Sequence, residues 1–372
     1  MSKNIAIIGA SYLQLPLIEK AKSMGYTTHV FAWAAGDVGE SSGDYFYPIS
    51  IIEKELITQK CREIGICGIC SIASDLASAT VNYVAVKLGL TGNSLEATER
   101  STNKYYMRKT FEEHGDPGPV CIRIDENTDI DTLDITYPVI IKPTDRSGSR
   151  GVYKVENVAE LKKYLKKTLS EGFEKKAIVE KFCKGTEYSV EYISYKGCHS
   201  FLALTLKYTT NAPHFIETGH LQPAPVDEKT MEHIKKTVEH ALDSLGIEYG
   251  ASHSEIKIDD EGNIKIIEIG GRMGGDCIGS DLVYYSAGYD FVKMVIDIAC
   301  GKAPDFSRHS DTFPVESVFI FDNDDIAEFE KIKAEEPDRI IKVLFYAPEN
   351  IGYTTDSSNR AGCYIRKYKK QE

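Results

Sequence analysis

The stretch SEIKIDDEGNIKIIEIGGRMGGD, residues 254–276, predicts two short β-strands joined by a tight turn. If the turn is a two-residue loop at Glu261-Gly262, Glu255 and Glu268 lie opposite each other, with Cβ atoms roughly 5 Å apart. Two like charges at that distance repel, so we expect a compensating cation, and a divalent ion with oxygen ligands is the natural candidate. The alternative is a hairpin shifted by one residue in register, with this face in solvent.

Arg272 follows the second strand directly and stands among four glycines. Glycine lets the backbone approach a ligand closely, and the guanidinium fork of arginine matches a phosphate or a carboxylate. The segment therefore predicts an anion site beside the two glutamates.

A second glycine-rich segment, DRSGSRG at residues 145–151, lies between two predicted strands. Its backbone N–H groups can bind phosphate oxygens, although it is not a Walker P-loop and a flexible hairpin tip is the alternative. Lys142 ends the apolar strand VIIK just before this loop, which suits a phosphate contact. Lys104, early on a predicted helix, is either a second phosphate contact or an ordinary surface charge.

The N-terminal region alternates apolar strands such as NIAIIGA with helices, which predicts a parallel α/β sheet through about residue 95. Gly9 begins a dinucleotide-binding fingerprint, but the second and third glycines are missing. A tight strand-to-helix turn is therefore the favoured interpretation of Gly9.

Three domains are expected from the remaining pattern. Residues 1–100 form an N-terminal Rossmann-like domain, and residues 101–300 form a second domain whose small lobe spans 115–195. Residues 301–372 form a small C-terminal α+β segment.

Composition limits the function further. The formal net charge of −12 argues against a non-specific nucleic-acid binder, and no apolar stretch reaches the roughly 18 residues that a membrane span needs. The nine scattered cysteines indicate reduced thiols in a cytoplasmic protein. Cys67 and Cys70 form a C-x-x-C pair for which buried packing is favoured over a metal or redox site. We expect small-molecule substrates, and whether the chain forms a homodimer stays open.

The order of these motifs resembles the ATP-grasp superfamily: Lys104 on a helix, IIKP with Lys142, the loop DRSGSRG, VEKF, GTEYSVE, and two glutamates followed by an arginine. The resemblance covers residues 3 to about 300. It implies an α/β ATP-grasp fold, with a Rossmann-like parallel sheet, two α+β lobes and a small C-terminal mixed cap.

For the nucleotide, the resemblance implies a flexible flap at residues 145–151 and a hinge at 180–182 that reads the adenine edge. Glu187 then binds the ribose, and Glu255 and Glu268 bind Mg²⁺, with Mn²⁺ as an alternative ion. Many relatives carry Asn where this chain has Gly270, which leaves a third metal ligand open. The implied ATP-binding residues are Lys104, Lys142, Ser147, Gly148, Ser149, Glu180, Lys181, Phe182 and Glu187.

Within the superfamily, KYTTNAPHFIETGHLQPAP (residues 207–225) and EIGGRMGGD are similar to the L-amino-acid ligases. This similarity implies ATP-dependent joining of a carboxylate and an amine through an acyl-phosphate. The implied catalytic residues are Arg272 and Lys207. The implied substrate-binding residues are His214, Glu217, His220, Gly274 and Gly275. The alternatives are a purine-pathway or carbamoyl-phosphate-type ligase, a non-catalytic nucleotide-binding protein, and, for the two histidines, ordinary loop positions.

Overall fold

The computed structural model describes residues 3–210, 216–352 and 360–369. Its N-terminal part is a parallel sheet in the strand order β3-β2-β1-β4. The strands are β1 (Asn4–Ile8), β2 (Thr27–Phe31), β3 (Tyr45–Tyr47) and β4 (Gly68–Cys70). The helices between and after them are α1 (Leu15–Ser23), α2 (Val38–Ser42), α3 (Lys54–Ile64) and α4 (Asp75–Leu88). Every apolar side chain of β1 is fully buried, as is typical of a parallel sheet that is covered on both faces.

Gly9 ends the first strand with φ +102°, a backbone conformation that favours glycine. The Gln14 side chain fills the turn: a Cβ on Gly9 would lie 3.0 Å from Gln14 Cδ, and Gln14 Oε1 accepts a hydrogen bond from the Ser11 backbone N–H. The geometry supports the interpretation of Gly9 as a tight strand-to-helix turn.

A second, antiparallel sheet has the strand order β5-β8-β6-β7. It comprises β5 (Cys121–Ile124), β6 (Val139–Pro143), β7 (Tyr153–Val155) and β8 (Ala177–Lys181), with α7 (Val158–Glu171) packed on it. Two helices precede it, α5 (Leu95–Thr102) and α6 (Lys104–His114). Asn103 caps α6 by accepting hydrogen bonds from the backbone N–H groups of Tyr105 and Tyr106, which holds Lys104 at the first helical position.

The third sheet is large, with the order β13-β12-β9-β10-β11-β14-β16-β15. Its strands are β9 (Thr186–Tyr195), β10 (Cys198–Thr209), β11 (Glu217–Gln222), β12 (Tyr249–Ile258), β13 (Ile264–Gly270), β14 (Val315–Ile320), β15 (Ile340–Tyr346) and β16 (Gly362–Lys367). Its helices are α8 (Glu228–Leu245), α9 (Val283–Ala287), α10 (Phe291–Ala299) and α11 (Asn323–Glu335).

Two boundaries differ from the sequence expectation. The small sheet ends at Lys181, and β9, which we expected in the small lobe, pairs with β10 and β12 instead because its apolar face packs into the core of the large sheet. The C-terminal strands also continue the large sheet, since β14 pairs with β11. The segment expected to be a separate cap thus lies on the same sheet as the β12–β13 hairpin.

The hairpin turn is wider than expected. Asp259 accepts hydrogen bonds from the backbone N–H groups of Glu261 and Asn263, so Ile258 pairs with Ile264 and the expected two-residue loop is wrong. A β-bulge then leaves Ile267 unpaired on β13 and returns Glu255 to a position opposite Glu268. The predicted pairing of the glutamates is confirmed, although the register between the turn and the bulge differs by one residue.

The C-x-x-C pair shows no metal-site geometry. Cys70 is buried, and Cys67 Sγ lies 3.8 Å from Cys300 Sγ and 3.2 Å from the Asn4 carbonyl oxygen. Among residues 3–210, 216–352 and 360–369, no helix is long and apolar enough to cross a membrane.

Candidate active site

A cleft of about 1360 Å³ opens between the three sheets, and a smaller cavity of about 160 Å³ adjoins it. Both cavities are lined by residues of the β12–β13 hairpin and by the loop that begins at Asp145. The residues shared by the two cavities are Lys104, Arg146, Ser147, Gly148, Lys207, Glu217, His253, Glu255, Glu268 and Arg272. Most of the residues selected from the sequence therefore meet in one place.

Glu255 and Glu268 form the floor of this cleft, with side chains 25% and 21% exposed. Glu255 accepts a 2.6 Å hydrogen bond from Lys207 Nζ, and Glu268 accepts one of 2.7 Å from Lys104 Nζ. Burial alone would raise the pKa of Glu255, but Lys207 and His253 outweigh burial and hold that pKa well below its usual range. Both glutamates lie on the cleft floor and each is paired with a lysine, which argues against a solvent-exposed hairpin face.

These two carboxylates fit a magnesium ion. Magnesium in proteins is commonly held by one or two carboxylates together with water and substrate phosphates. No group of three or more His, Cys, Asp or Glu side chains in the described part of the chain could hold a metal ion. Gly270 adds no side-chain ligand, so any further ligands must come from outside the protein side chains in this region.

Lys207 joins three glutamates beneath the cleft. Its Nζ lies 2.6 Å from Glu255, 2.9 Å from Glu187 and 3.4 Å from Glu217, and its side chain is 3% exposed. Burial lowers the pKa of a lysine, but the three carboxylates outweigh burial and raise this pKa well above its usual value. Lys207 is therefore a fixed positive charge that links the expected ribose, metal and substrate residues.

The glycine-rich loop folds over the same floor. Lys104 Nζ donates a second hydrogen bond, of 2.7 Å, to the Arg146 carbonyl oxygen. Asp145 accepts hydrogen bonds from the backbone N–H groups of Phe173 and Glu174, which ties the base of the loop to the small sheet. Gly148 and Ser149 have φ values of +71° and +56°. The loop residues Ser147 and Gly148 line both cavities, while Ser149 lines only the smaller one.

A buried ion triad stands at the back of the smaller cavity. Glu180 Oε1 lies 2.5 Å from Lys142 Nζ, and Glu180 Oε2 accepts a 3.0 Å hydrogen bond from Arg108 Nε. Arg108 Nη2 also donates a 2.5 Å hydrogen bond to the carbonyl oxygen of Ile267, the residue displaced by the β-bulge. The Glu180 carboxylate, expected to face adenine, is thus engaged by two cations, while Lys181 and Phe182 line the cavity beside it.

Arg108 was not predicted from the sequence, although it lies four residues after Lys104 on the same helix face. Replacing Arg108 with Met should lower the free energy of unfolding by about 3 kcal/mol, because one partner of a buried charge pair is lost. Lys142 remains beside Glu180, which keeps the loss at the lower end of the range for such pairs. Urea denaturation checks this prediction, with exposed Arg62→Met as the matched control; equal stability of the two variants would contradict it.

Arg272 forms a bidentate ion pair with Asp75, at 2.8 and 3.1 Å. Asp75 is the first residue of α4, which follows β4 of the parallel sheet. The N-terminal region therefore supplies one wall of the cleft. Burial would raise the pKa of Asp75, but Arg272 outweighs it and lowers that pKa. Sequence reasoning missed Asp75, because an acidic residue in the first turn of a helix is common for other reasons.

The substrate residues expected from the FIETGH segment form a second ionic group. Arg360 donates a 3.2 Å hydrogen bond to Glu217 Oε2, lies 3.0 Å from Asp276 Oδ1, and stacks 3.5 Å from the Phe319 ring centre. His220 is 1% exposed, with Nε2 3.7 Å from Asp276 Oδ2 and no hydrogen bond from either ring nitrogen within the described residues. His214 lies outside the described residues.

Arg360 and Asp276 were both missed. Asp276 is the last residue of the stretch 254–276, and its charge four residues after Arg272 was a usable signal. Arg360 has no local signal, because it reaches Glu217 only through pairing of the C-terminal strand with the large sheet.

The two adjacent glycines after Arg272 differ in surroundings. Gly275 lines the cleft, whereas Gly274 is buried behind it and donates a 3.0 Å backbone hydrogen bond to Glu191 Oε2. A Cβ on Gly274 would lie 2.7 Å from His253 Nδ1 and 2.8 Å from Glu191 Oε1, but a Cβ on Gly275 would have no atom nearer than 3.7 Å.

Gly274→Ala should therefore lower the free energy of unfolding by about 1–3 kcal/mol through overpacking. Gly275→Ala, the matched control, should change it by less than about 1 kcal/mol in either direction. Thermal and urea unfolding of both variants measure the difference. Equal effects at the two positions would show that the space around Gly274 is not as described.

Comparison with known proteins agrees with this arrangement. Residues 135–281 match the family model described as an ATP-grasp domain. The alanine–anticapsin ligase of Bacillus subtilis is 25% identical over 312 residues, covering 73% of this chain and 65% of that protein. This chain therefore spans less than two thirds of the length of that relative.

Two solved structures share the fold. The L-amino acid ligase from Bacillus licheniformis superposes with a TM-score of 0.84 at 22% identity, covering 99% of this chain and 93% of that chain. The phosphoribosylglycinamide synthetase from Anaerococcus prevotii gives 0.78 at 21% identity, covering 100% and 95%. The expected α/β ATP-grasp fold and the resemblance to that superfamily are confirmed.

Proposed function

We propose that this chain, with its ATP-grasp domain, is an ATP-dependent carboxylate–amine ligase that joins L-amino acids through an acyl-phosphate. The observation that carries the proposal is the meeting of opposed Glu255 and Glu268 with Lys104, Lys207 and Arg272 in one cleft. A carboxylate pair suited to magnesium, flanked by lysines and followed by an arginine, matches what phosphoryl transfer to a carboxylate requires.

In the proposed complex, ATP lies between the small and large sheets. Lys104, Lys142 and the loop at 145–151 contact the phosphates, and the strand end at 180–182 lies along the adenine. Glu187, already held by Lys207, contacts the ribose. Glu255 and Glu268 would hold Mg²⁺ or Mn²⁺, which would neutralise charge on the phosphates.

The first step is attack of a substrate carboxylate on the γ-phosphate, with release of ADP. The protein contributes mainly position and charge: Lys104 and the loop N–H groups hold the transferring group, and Lys207 fixes the acidic residues around it. The loop also excludes water, which would otherwise hydrolyse the acyl-phosphate.

In the second step an amine attacks the acyl carbon, phosphate leaves, and an amide forms. Arg272 is the proposed stabiliser of the negative charge on the tetrahedral oxygen. Glu217, His220 and Gly275 line the cleft beside it and are the proposed contacts of the amino-acid substrate. The amine must lose a proton, and no side chain in the described residues is an evident base for it.

A same-fold alternative is a purine-pathway or carbamoyl-phosphate-type ligase. The structural similarity to phosphoribosylglycinamide synthetase is consistent with this alternative. The ionic group of Glu217, Asp276 and Arg360 favours a zwitterionic substrate over a phosphorylated one, because two of its three charges are negative. We also propose a domain boundary at residue 100 and a homodimeric state, whereas the strands after residue 300 belong to the large sheet.

The test is an ATP-dependent phosphate-release screen over pairs of L-amino acids, including alanine, with Glu268→Gln as background. We expect release that depends on a particular pair and a dipeptide product detectable by mass spectrometry. ADP binding without pair-dependent release would favour a non-catalytic nucleotide-binding protein. Release with phosphoribosylamine and glycine, but with no amino-acid pair, would favour the purine-pathway alternative.

A further inference from the structure

Glu191 is a carboxylate with no exposed surface, on β9 behind the cleft. Its Oε1 forms a short ion pair with His253 Nδ1, and its Oε2 accepts the hydrogen bond from the Gly274 backbone N–H. Glu191 does not line either cavity in the described residues, so it has no direct contact with a ligand in the cleft. A fully buried carboxylate is costly unless its partners are fixed.

His253 connects this carboxylate to the cleft floor. It lies two residues before Glu255 on β12, so both side chains are on the same face of the sheet. Its Nε2 is 3.6 Å from Glu255 Oε1, while Nδ1 faces Glu191. Opposite His253 on β13 stands Gly270, which has no side chain to separate the imidazole from the cleft.

The contacts form one continuous path: the Glu255 carboxylate, the His253 ring, the Glu191 carboxylate and the Gly274 N–H. Arg272 lies two residues before Gly274, on the same loop. The fit around Gly274 is too close for any Cβ, so the loop is held against the His253–Glu191 pair. A change in either member of the pair must therefore reach both Glu255 and the Arg272 loop.

We propose that His253 and Glu191 are positioning residues that orient the Glu255 carboxylate toward the divalent cation and fix the Arg272 loop beside it. The proposal rests on the proposed function, because it requires the cation site at Glu255 and Glu268. Outer partners of metal-binding side chains fix the orientation of those side chains, and their loss costs roughly 10- to 100-fold in metal affinity.

The test measures Mn²⁺ binding to the complex of the full chain with ADP, by electron paramagnetic resonance titration. The main variant is Glu191→Met/His253→Leu, which removes both members and leaves no buried charge without a partner. We expect a roughly 10- to 100-fold weaker Mn²⁺ affinity and unchanged affinity for ADP measured in EDTA. His199→Leu, a histidine of the same sheet that does not line the cleft, is the matched control and should bind Mn²⁺ as the wild type does.

A second variant separates positioning from folding. Glu191→Gln keeps the shape and can accept the Gly274 hydrogen bond, so it should retain tighter Mn²⁺ binding than Glu191→Met. If the double variant folds and its Mn²⁺ affinity is within about twofold of wild type, the positioning role alone is overturned. The same conclusion follows if Glu191→Gln and Glu191→Met have equal Mn²⁺ affinities within about twofold of wild type. A wild type with no Mn²⁺-dependent ADP binding would instead overturn the proposed function and this inference together.

Discussion

Arg272→Met should lower kcat/KM for amino-acid-dependent phosphate release by about 10²–10³-fold, the usual effect of removing one stabiliser of a developing oxyanion. The guanidinium lies in the cleft that Glu268 also lines, and Asp75 holds it in a fixed orientation. Its proposed contribution is greatest when negative charge develops on the acyl oxygen, so kcat should fall more than KM rises. Steady-state kinetics with the best amino-acid pair measures the change.

The control for Arg272 must separate chemistry from stability, because Met at this position leaves the Asp75 carboxylate without its bidentate partner. The double variant Arg272→Met/Asp75→Asn removes that unpaired charge and should be as inactive as the single variant. ADP affinity should stay near wild type in both. Recovery of activity in the double variant would assign the effect to Asp75 and contradict the role of Arg272.

Glu268→Gln should reduce the same activity by on the order of 10²–10³-fold, because the change removes one of the two proposed carboxylate ligands of a divalent cation, which would supply several kcal/mol of charge stabilisation. The substitution preserves side-chain size, and Lys104 keeps its hydrogen bond to the Arg146 carbonyl oxygen. The protein should therefore remain folded.

Glu261→Gln, at the exposed tip of the same hairpin, is the matched control for Glu268→Gln and should retain wild-type activity. Raising the Mg²⁺ concentration should restore part of the Glu268→Gln activity, since the remaining carboxylate still binds weakly. Wild-type activity and unchanged Mg²⁺ dependence in Glu268→Gln would contradict a metal role for this residue.

The sequence alone could place those residues of the candidate site that depend on local pattern. Alternating residues place Glu255 on one hairpin face, and Lys142 and the glycine-rich loop follow from an apolar strand and its end. The exact register was not predictable, because Asp259 widens the turn and the bulge at Ile267 then offsets the change. The glutamates face each other because the wider turn and the bulge cancel in register, and the pattern of strand residues reveals neither of them.

Residues brought in from a distance were not predictable from local pattern. Asp75 reaches Arg272 from the parallel sheet, and Arg360 reaches Glu217 from the C-terminal strand. Glu191 and His253 looked like alternating strand residues, because only the packing of β9 against β12 pairs them. Buried ionic partners therefore became visible only with the sheet order.

The most direct test of the proposed nucleotide site is a crystal structure of the chain with ADP and Mg²⁺. We predict one ion bonded to carboxylate oxygens of both Glu255 and Glu268, with the diphosphate beside Lys104 and Lys142 and under the loop at 145–151. A nucleotide bound elsewhere, or an ion that contacts neither glutamate, would contradict the proposal that Glu255 and Glu268 hold the metal ion of the nucleotide in the cleft with Arg272.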